Sequence, residues 1–476
     1  MSLILLANRA PIRRTQDGWS AALGGLASAL LPVLEARGGA WVGSRTPGDD
    51  APEHQPYPED SPTFTVRRVP LTEDEVEGYY NGLSNQVLWP LSHYLLEYVL
   101  PERRFREVYR SVNRRFADAA LELARQSDEE PQFWVQDYHL MLVPAHLREG
   151  YPGARIGHFW HIPWPAPEVF RILPSARELL RGMLGADLIG FHTEGDAENF
   201  RESARDLLGA SIDGHDVLWD GRRVRAEPHP IGIDVEKFET LAATPSVVRE
   251  AERFKREVVA NQIVLGVDRL DYTKGLLLRF EAYERFLESY PEAHGRVTMF
   301  QIATPSRTGI PAYDRLKREV EEAVGRINGR FAEGAWAPLR YRYRAYTQEE
   351  LAGLYTAADV AFLTPLRDGM NLVAHEYAAV SAAAMEHGHA PGALVLSELT
   401  GAADYLTGAV CVNPYDTDAL ASALRDALDL PEDEKRQRLL KMQTATRDLD
   451  VHTWAARFLD RLDERQRPAG EDQQES

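Results

Sequence analysis

A chain of 476 residues, 44% hydrophobic and 27% charged, has the make-up of a soluble globular protein with room for two α/β domains rather than one core. Its formal net charge of -19 excludes a binder that tracks nucleic-acid backbones and argues against an anionic membrane surface. The single cysteine, Cys411, excludes an intrachain disulfide framework and a cysteine-based zinc site, and points to a reducing, cytoplasmic setting.

The N-terminal run to Ala7 is apolar, lacks a basic flank and is too short for a signal peptide, so it reads as a first buried strand, 3–7. No run of 18 apolar residues suggests a membrane span. Asn8-Arg9 follows that strand, and Gly24-Gly25-Leu26 then opens a helix. Paired glycines at a helix start let backbone N–H groups approach a phosphate, although such a pair more often marks a plain turn, and no G-x-G-x-x-G completes it. Residues 46–62, rich in Pro, Asp and Gly, read as a surface loop before strand 64–69. The stretch 79–93 (beginning YYNGLSNQVLWP) reads as irregular, its aromatics and asparagines suited to a sugar platform or to loop packing.

Helix 105–126 leads to strand 133–136 and Asp137-Tyr138-His139-Leu140. Asp137 is placed either to accept sugar hydroxyls or to N-cap the next turn. Strand 156–160 delivers His161 into His161-Ile162-Pro163-Trp164-Pro165, where the prolines fix the turn. Helix 175–185, strand 187–191 and helix 194–207 follow. The segment HPIGIDVEKF closes the first half and places a hinge around Ile233 to Phe238.

In the second half, strand 263–267 is followed by Asp268-Arg269-Leu270-Asp271-Tyr272-Thr273-Lys274-Gly275 and a helix, 276–289. Arg269 and Lys274, around a turn feeding a helix start, make an anion site. Only six lysines stand against 48 arginines, so a lysine inside this motif is informative. Strand 297–303 ends near Ala303-Thr304-Pro305-Ser306-Arg307, and helices 312–327 and 348–357 follow. Strand 359–363 leads into Thr364 to Glu376, with Asp368 in the turn, Gly369 behind it and a helix from about Met370. Backbone N–H groups at 370–373 then face a ligand edge, with Glu376 on the inward face. Strands 393–396 and 409–412 and helix 417–428 complete the series. A last helix, 453–466, is expected to cross back to the first domain, before a disordered tail, 467–476.

This alternation predicts an α/β fold of two Rossmann-like, doubly wound parallel sheets, residues 1–235 and 236–452, facing a central cleft. Ligands then sit at the carboxyl ends of strands, which is where these motifs fall. No P-loop, G-x-S-x-G or H-E-x-x-H motif occurs, and the D-x-D at Asp448-Leu449-Asp450 lies past the second sheet. No metal is therefore expected.

Taken together, Asn8-Arg9, Gly24 to Ala27, Tyr79 to Pro90, Asp137 to Leu140, Arg269 to Gly275 and Thr364 to Glu376 resemble the trehalose-6-phosphate synthases of glycosyltransferase family 20, from about Leu3 to about Phe458. The resemblance implies the GT-B fold and a metal-independent, retaining transfer of glucose from a nucleotide-diphosphate glucose to glucose 6-phosphate. It implies that Gly25, Arg269 and Lys274 hold the donor diphosphate and Glu376 the ribose. His161, Asp368 and the backbone of Gly369, Met370 and Asn371 would hold the donor sugar, with Leu372 and Val373 completing the nucleotide pocket. Arg9, Tyr80, Trp89 and Arg307 would take the acceptor phosphate, and Trp41 and Asp137 its sugar. His161, Arg269, Lys274 and Asp368 would be the catalytic group. Cofactors are none beyond the nucleotide-sugar co-substrate, and the partners are small molecules, with no nucleic acid, no membrane and a homo-oligomer left open. Gln136 and Trp160 depart from the family pattern at flanking positions, and 378–392 is longer than in some relatives. No D-x-D-x-[TV] signature follows, so no fused phosphatase is expected. Two rivals stay open: another phosphorylated acceptor such as glycerol 3-phosphate, and a catalytically silent sugar-phosphate sensor. The base of the donor (uridine, adenosine or guanosine) is not read from these residues.

Overall fold

The computed structural model describes residues 2–15, 18–21, 25–58, 60–258, 260–307 and 309–464; Gly24 and the tail 467–476 lie outside them. The chain divides into two compact units. One runs to Ile231 and resumes at His452, and the other is Gly232–Val451.

The first unit is built on a ten-stranded sheet. Its order is Ser211–Asp213, Asp216–Trp219, Arg222–Pro228, Leu188–Phe191, Arg155–Phe159, Pro131–Gln136, Ser2–Arg9, Gly39–Arg45, Phe64–Pro70 and His54–Tyr57. The strands from Arg222–Pro228 to Phe64–Pro70 run parallel, and antiparallel strands close both edges. Leu3 to Ala7 and Gln132 to Gln136 are buried on both faces, which a central parallel strand requires. The chain leaves Ser2–Arg9 toward Gly39–Arg45 and later returns on its other side at Pro131–Gln136. The switch in winding direction therefore falls between Arg9 and Asp137, and ligands of doubly wound sheets bind at such a point.

The second unit carries six parallel strands in the order Leu339–Arg342, Val297–Thr304, Gln262–Arg269, Val360–Leu363, Ala393–Ser397 and Val410–Val412. Here the switch lies between Gln262–Arg269 and Val360–Leu363, whose carboxyl ends feed Lys274 and Asp368.

The last helix, Val451–Asp463, packs on the first unit. Phe458 is fully buried and stacks on Trp134 with ring centroids 5.0 Å apart. Trp454 donates its indole N–H to the His229 carbonyl at 3.1 Å. Gly157 and Gly190 make the seat, since a Cβ on either would come within 2.7 and 2.8 Å of the Phe458 ring.

Several elements differ from the sequence reading. Residues 79–93 are not an irregular loop. Val76–Leu88 is a 13-residue π-helix that continues into the helical turn Trp89–Ser92. The expected loop 46–62 contains the edge strand His54–Tyr57. Gly39–Arg45 is a strand entered through Gly38 and Gly39 at φ 75° and 111°; a Cβ at Gly39 would meet the Leu3 carbonyl oxygen at 2.1 Å. The antiparallel strands of 211–228 and the helix Glu432–Asp448 were also not anticipated. That helix buries Lys435, Gln443 and Thr446 beside Leu439 and Met442, so its inward face carries little apolar periodicity. The helix expected from Met370 begins at Leu372.

Candidate active site

At the switch point of the second unit, Asp271 organises the first turn. It is fully buried and accepts hydrogen bonds from the Thr273 N–H at 3.0 Å and the Thr273 hydroxyl at 2.9 Å. Its other oxygen accepts from Tyr313 at 3.0 Å and forms an ion pair with Arg307. Burial alone would raise its pKa, but Arg307, Arg269, the Thr273 N–H and Lys274 together hold it well below the usual carboxylate range. Gly275 then takes φ 64° and caps the turn. A Cβ there would lie 2.8 Å from the Thr364 carbonyl oxygen, so the glycine lets this turn approach the next loop. Leu366 N–H closes the approach by donating to the Thr273 carbonyl at 2.8 Å.

That second loop holds Asp368, whose carboxylate forms an ion pair with Lys274. Both side chains are mostly enclosed, at 13% and 19% exposure. The loop is pinned from behind, where Asp368 N–H donates to Leu399 O at 3.1 Å and Ala402 N–H to Met370 O at 2.8 Å. Asn371 follows at φ 80°, and its side-chain oxygen caps the Ala374 N–H at 3.1 Å. The first N–H groups of the helix Leu372–Glu386, at Leu372 and Val373, thus stand at the positive helix end, ready for an anion. One turn on, Glu376 accepts a 2.8 Å hydrogen bond from Tyr355. Burial pushes its carboxyl up to about 7, against the pull of Tyr355 and Lys237.

In the first unit, Arg9 at the end of its strand donates to the Tyr80 hydroxyl at 2.9 Å, its guanidinium 5.6 Å from the Tyr80 ring centre. Tyr80 stacks on His139 at 5.8 Å. The π-helix supplies Tyr80, and its preceding residue Tyr79 donates to Asn8 Oδ1 at 3.0 Å. Asn85 of the same helix donates to the Tyr80 carbonyl at 2.8 Å and accepts from Tyr138 at 2.9 Å. π-helical turns gather at functional sites, and this one aims the two tyrosines at one strand end.

Asp137 does not cap the turn Tyr138–Leu140 with its side chain. It sits at φ 71°, and its carboxylate accepts the His161 N–H at 3.3 Å and lies 3.8 Å from His139 Nδ1. His161 itself contacts Gln136 Oε1 through Nε2 at 2.8 Å. Burial first, then the neighbouring His192, His158 and His139, hold its pKa well below the ordinary value, so the ring is neutral and Nε2 carries the proton toward Gln136. Gln136, a departure at the sequence level, is thereby the residue that orients this histidine.

The structure thus brings Lys274 to Asp368, Arg9 to Tyr80, and Asp137 to His161. It joins Arg307 to Asp271, in the second unit. Trp41 is buried, and its indole N–H is spent on the Arg9 carbonyl at 2.9 Å, which fixes the backbone behind the guanidinium. Trp89 is 6% exposed and packs on His93 and on Tyr138. Gly25 opens the helix Gly25–Arg37. Among the described non-glycine residues five have positive φ, and three of them are Asp137, Arg307 and Asn371. Strained backbone of this kind persists where the surroundings over-determine it, commonly at functional sites. Sequence reasoning missed Asp271 as an organiser, Tyr313, Tyr355 and the buried Arg279. The last was findable, since 276, 279, 280, 283 and 287 share one helical face and an arginine stands among its apolar residues.

Solved structures of trehalose-6-phosphate synthases, glycosyltransferases of the GT-B class, share this fold. An alpha,alpha-trehalose-phosphate synthase (UDP-forming) from Burkholderia xenovorans, in complex with glucose-6-phosphate, is 36% identical, with a TM-score of 0.87 over 97% of this chain and 100% of that one. An E. coli structure bound with UDP-2-fluoro glucose is 35% identical, with a TM-score of 0.89 over 98% of this chain and 100% of that one. A bifunctional trehalose-6-phosphate synthase/phosphatase from Thermoproteus tenax is 41% identical across 96% of this chain, which spans 63% of that relative's length. The family model described as Glycosyltransferase family 20 matches residues 2–464. The chain belongs to glycosyltransferase family 20.

Proposed function

We propose that the protein transfers glucose from UDP-glucose to glucose 6-phosphate, with retention of configuration, to give α,α-trehalose 6-phosphate in the cytoplasm. The observation that carries this is the Lys274–Asp368 ion pair at the switch point of the second unit. A nucleoside diphosphate laid along Arg269, Lys274 and the start of the helix Leu372–Glu386 supplies the anion that Asp368 supplies in its absence. Asp368 is then released to accept a hydroxyl of the donor glucose. Among the described residues no helix is long and apolar enough to cross a membrane.

Chemically, the bond from glucose C1 to the diphosphate oxygen breaks and a bond from C1 to the acceptor hydroxyl oxygen forms on the same face. The acceptor proton passes to the departing phosphate oxygen. Arg269 and Lys274 stabilise the charge that grows on the leaving group, so no metal is called for, and neutral His161 and Asp137 orient sugar hydroxyls. Arg9, Tyr80, Trp89 and Arg307 take the acceptor phosphate. Either K274A or R269A is expected to lower turnover about 10²–10³-fold, as removal of a preorganised charge does elsewhere.

The test is a matrix of UDP-, ADP- and GDP-glucose against glucose 6-phosphate and glycerol 3-phosphate, with each product identified. Disaccharide phosphate from UDP-glucose and glucose 6-phosphate supports the reading. Preference for glycerol 3-phosphate would replace the acceptor, and donor binding without turnover in every cell would make the protein a sensor.

A further inference from the structure

We infer that Arg279 is a positioning residue for glycosyl transfer, holding Lys274 and the start of the Thr364–Asp368 loop in one arrangement from the buried side. The inference rests on the donor role given to Lys274 above. Arg279 has no solvent exposure, and its guanidinium pairs with Asp268, the residue immediately before Arg269. Gln301 completes the base of the network. Its oxygen accepts from Arg279 Nη1 at 3.0 Å, and its amide donates to Asp268 Oδ2 at 3.0 Å and to the Ile302 carbonyl at 2.9 Å. The remaining donors address the two loops. Arg279 Nε donates to the Thr364 hydroxyl at 3.0 Å, and Nη2 to the Lys274 carbonyl at 3.3 Å, with a longer contact to Asp268 Oδ1 at 3.5 Å.

A buried ion pair is a poor device for stability, because desolvation offsets most of the attraction and an apolar replacement is often as good. What the planar fork of arginine adds is direction, since it can bind an aspartate, a hydroxyl and a carbonyl at once where a lysine ammonium cannot reproduce the spacing. The strand beneath leaves no slack. A Cβ at Gly266 would meet Gln301 Oε1 at 2.1 Å and Arg279 Nη1 at 3.1 Å. Arg279 is thus a buried cation that touches both turns carrying the Lys274–Asp368 pair, and it acts on the reaction through Lys274.

The test is a double-mutant cycle on turnover of UDP-glucose with glucose 6-phosphate, using R279K, K274A and the double variant. R279K keeps the charge that Asp268 requires and loses the fork. A change acting through Lys274 disappears when Lys274 is gone, whereas mere loosening of the fold multiplies with it. The expected result is that R279K lowers kcat about tenfold or more in the native background and less than about twofold in K274A. Equal factors in both backgrounds, or no effect in the native one, would overturn the inference while leaving the donor reading intact. A silent K274A would overturn both. Should R279K fail to fold, T364V removes one hydroxyl from the same network and enters the same cycle, with the same pattern expected and the same additive result overturning it.

Discussion

At the scale of single residues, two carboxylates show how environment divides similar groups. Asp271 is ionised because three cations and an N–H outweigh its burial, and it spends that charge on orienting Arg307. In D271N the guanidinium keeps its burial and loses its counter-charge. A charge-assisted hydrogen bond is worth about 1.5–3 kcal/mol, so kcat/KM for glucose 6-phosphate is expected to fall about 10–100-fold, and less in Y313F, where only a neutral hydroxyl goes. Steady-state kinetics with the acceptor varied checks this. Glu376 is the opposite case, with burial dominant and its carboxyl pushed up to about 7. Its folded pKa lies above the unfolded value near 4.5. The penalty is therefore absent below pH 4.5, grows between 4.5 and 7 as only the unfolded chain ionises, and is full above 7. E376Q removes it, so the ligand-free variant should gain on the order of 3 kcal/mol over the native chain at pH 8 and nothing at pH 4, read from urea midpoints.

At the scale of elements, the last helix seats one of its aromatic rings, Phe458, against two glycines of the first sheet. F458A leaves a cavity worth about 3–5 kcal/mol against Trp134 and Phe159. The expected outcome is faster amide exchange across Val451–Asp463, with binding of uridine diphosphate unchanged, since the side chains proposed to hold it, Arg269, Lys274 and Glu376, lie in Gly232–Val451. The elements that position the site were legible in the sequence where physics leaves a local mark. Buried parallel strands read as short apolar runs, and each of the six that leads to a candidate residue could be seen in that way. The π-helix could not, because its Tyr79, Tyr80 and Asn85 are placed by partners at Asn8, Arg9 and Tyr138, far away in sequence. The edge strands of 211–228 are half-exposed and carry arginines, and their stability comes from pairing rather than from burial. The Lys274 motif was visible as chemistry, yet its partner Asp368, 94 residues on, became a partner only through the strand order.

At the scale of the whole molecule, an acidic chain of net charge -19 keeps its cations where the fold has work for them. Its acid sensitivity should follow from histidines kept neutral in the interior. His158 lies within the first sheet with no exposure, and burial lowers its pKa to about 3. A depressed histidine contributes stability fully present above its unfolded pKa of about 6.5 and lost as pH falls toward 3. H158L should therefore shrink the drop in urea midpoint between pH 7 and pH 4.5, by roughly 2–3 kcal/mol of unfolding free energy, whatever its effect at pH 7. The proposed reaction can be watched directly. Mixing the purified chain with UDP-glucose and glucose 6-phosphate and following proton and phosphorus NMR should show one UDP released per α,α-1,1-linked disaccharide phosphate formed. UDP released without that disaccharide, or a product with a β linkage from the donor glucose, would contradict the account.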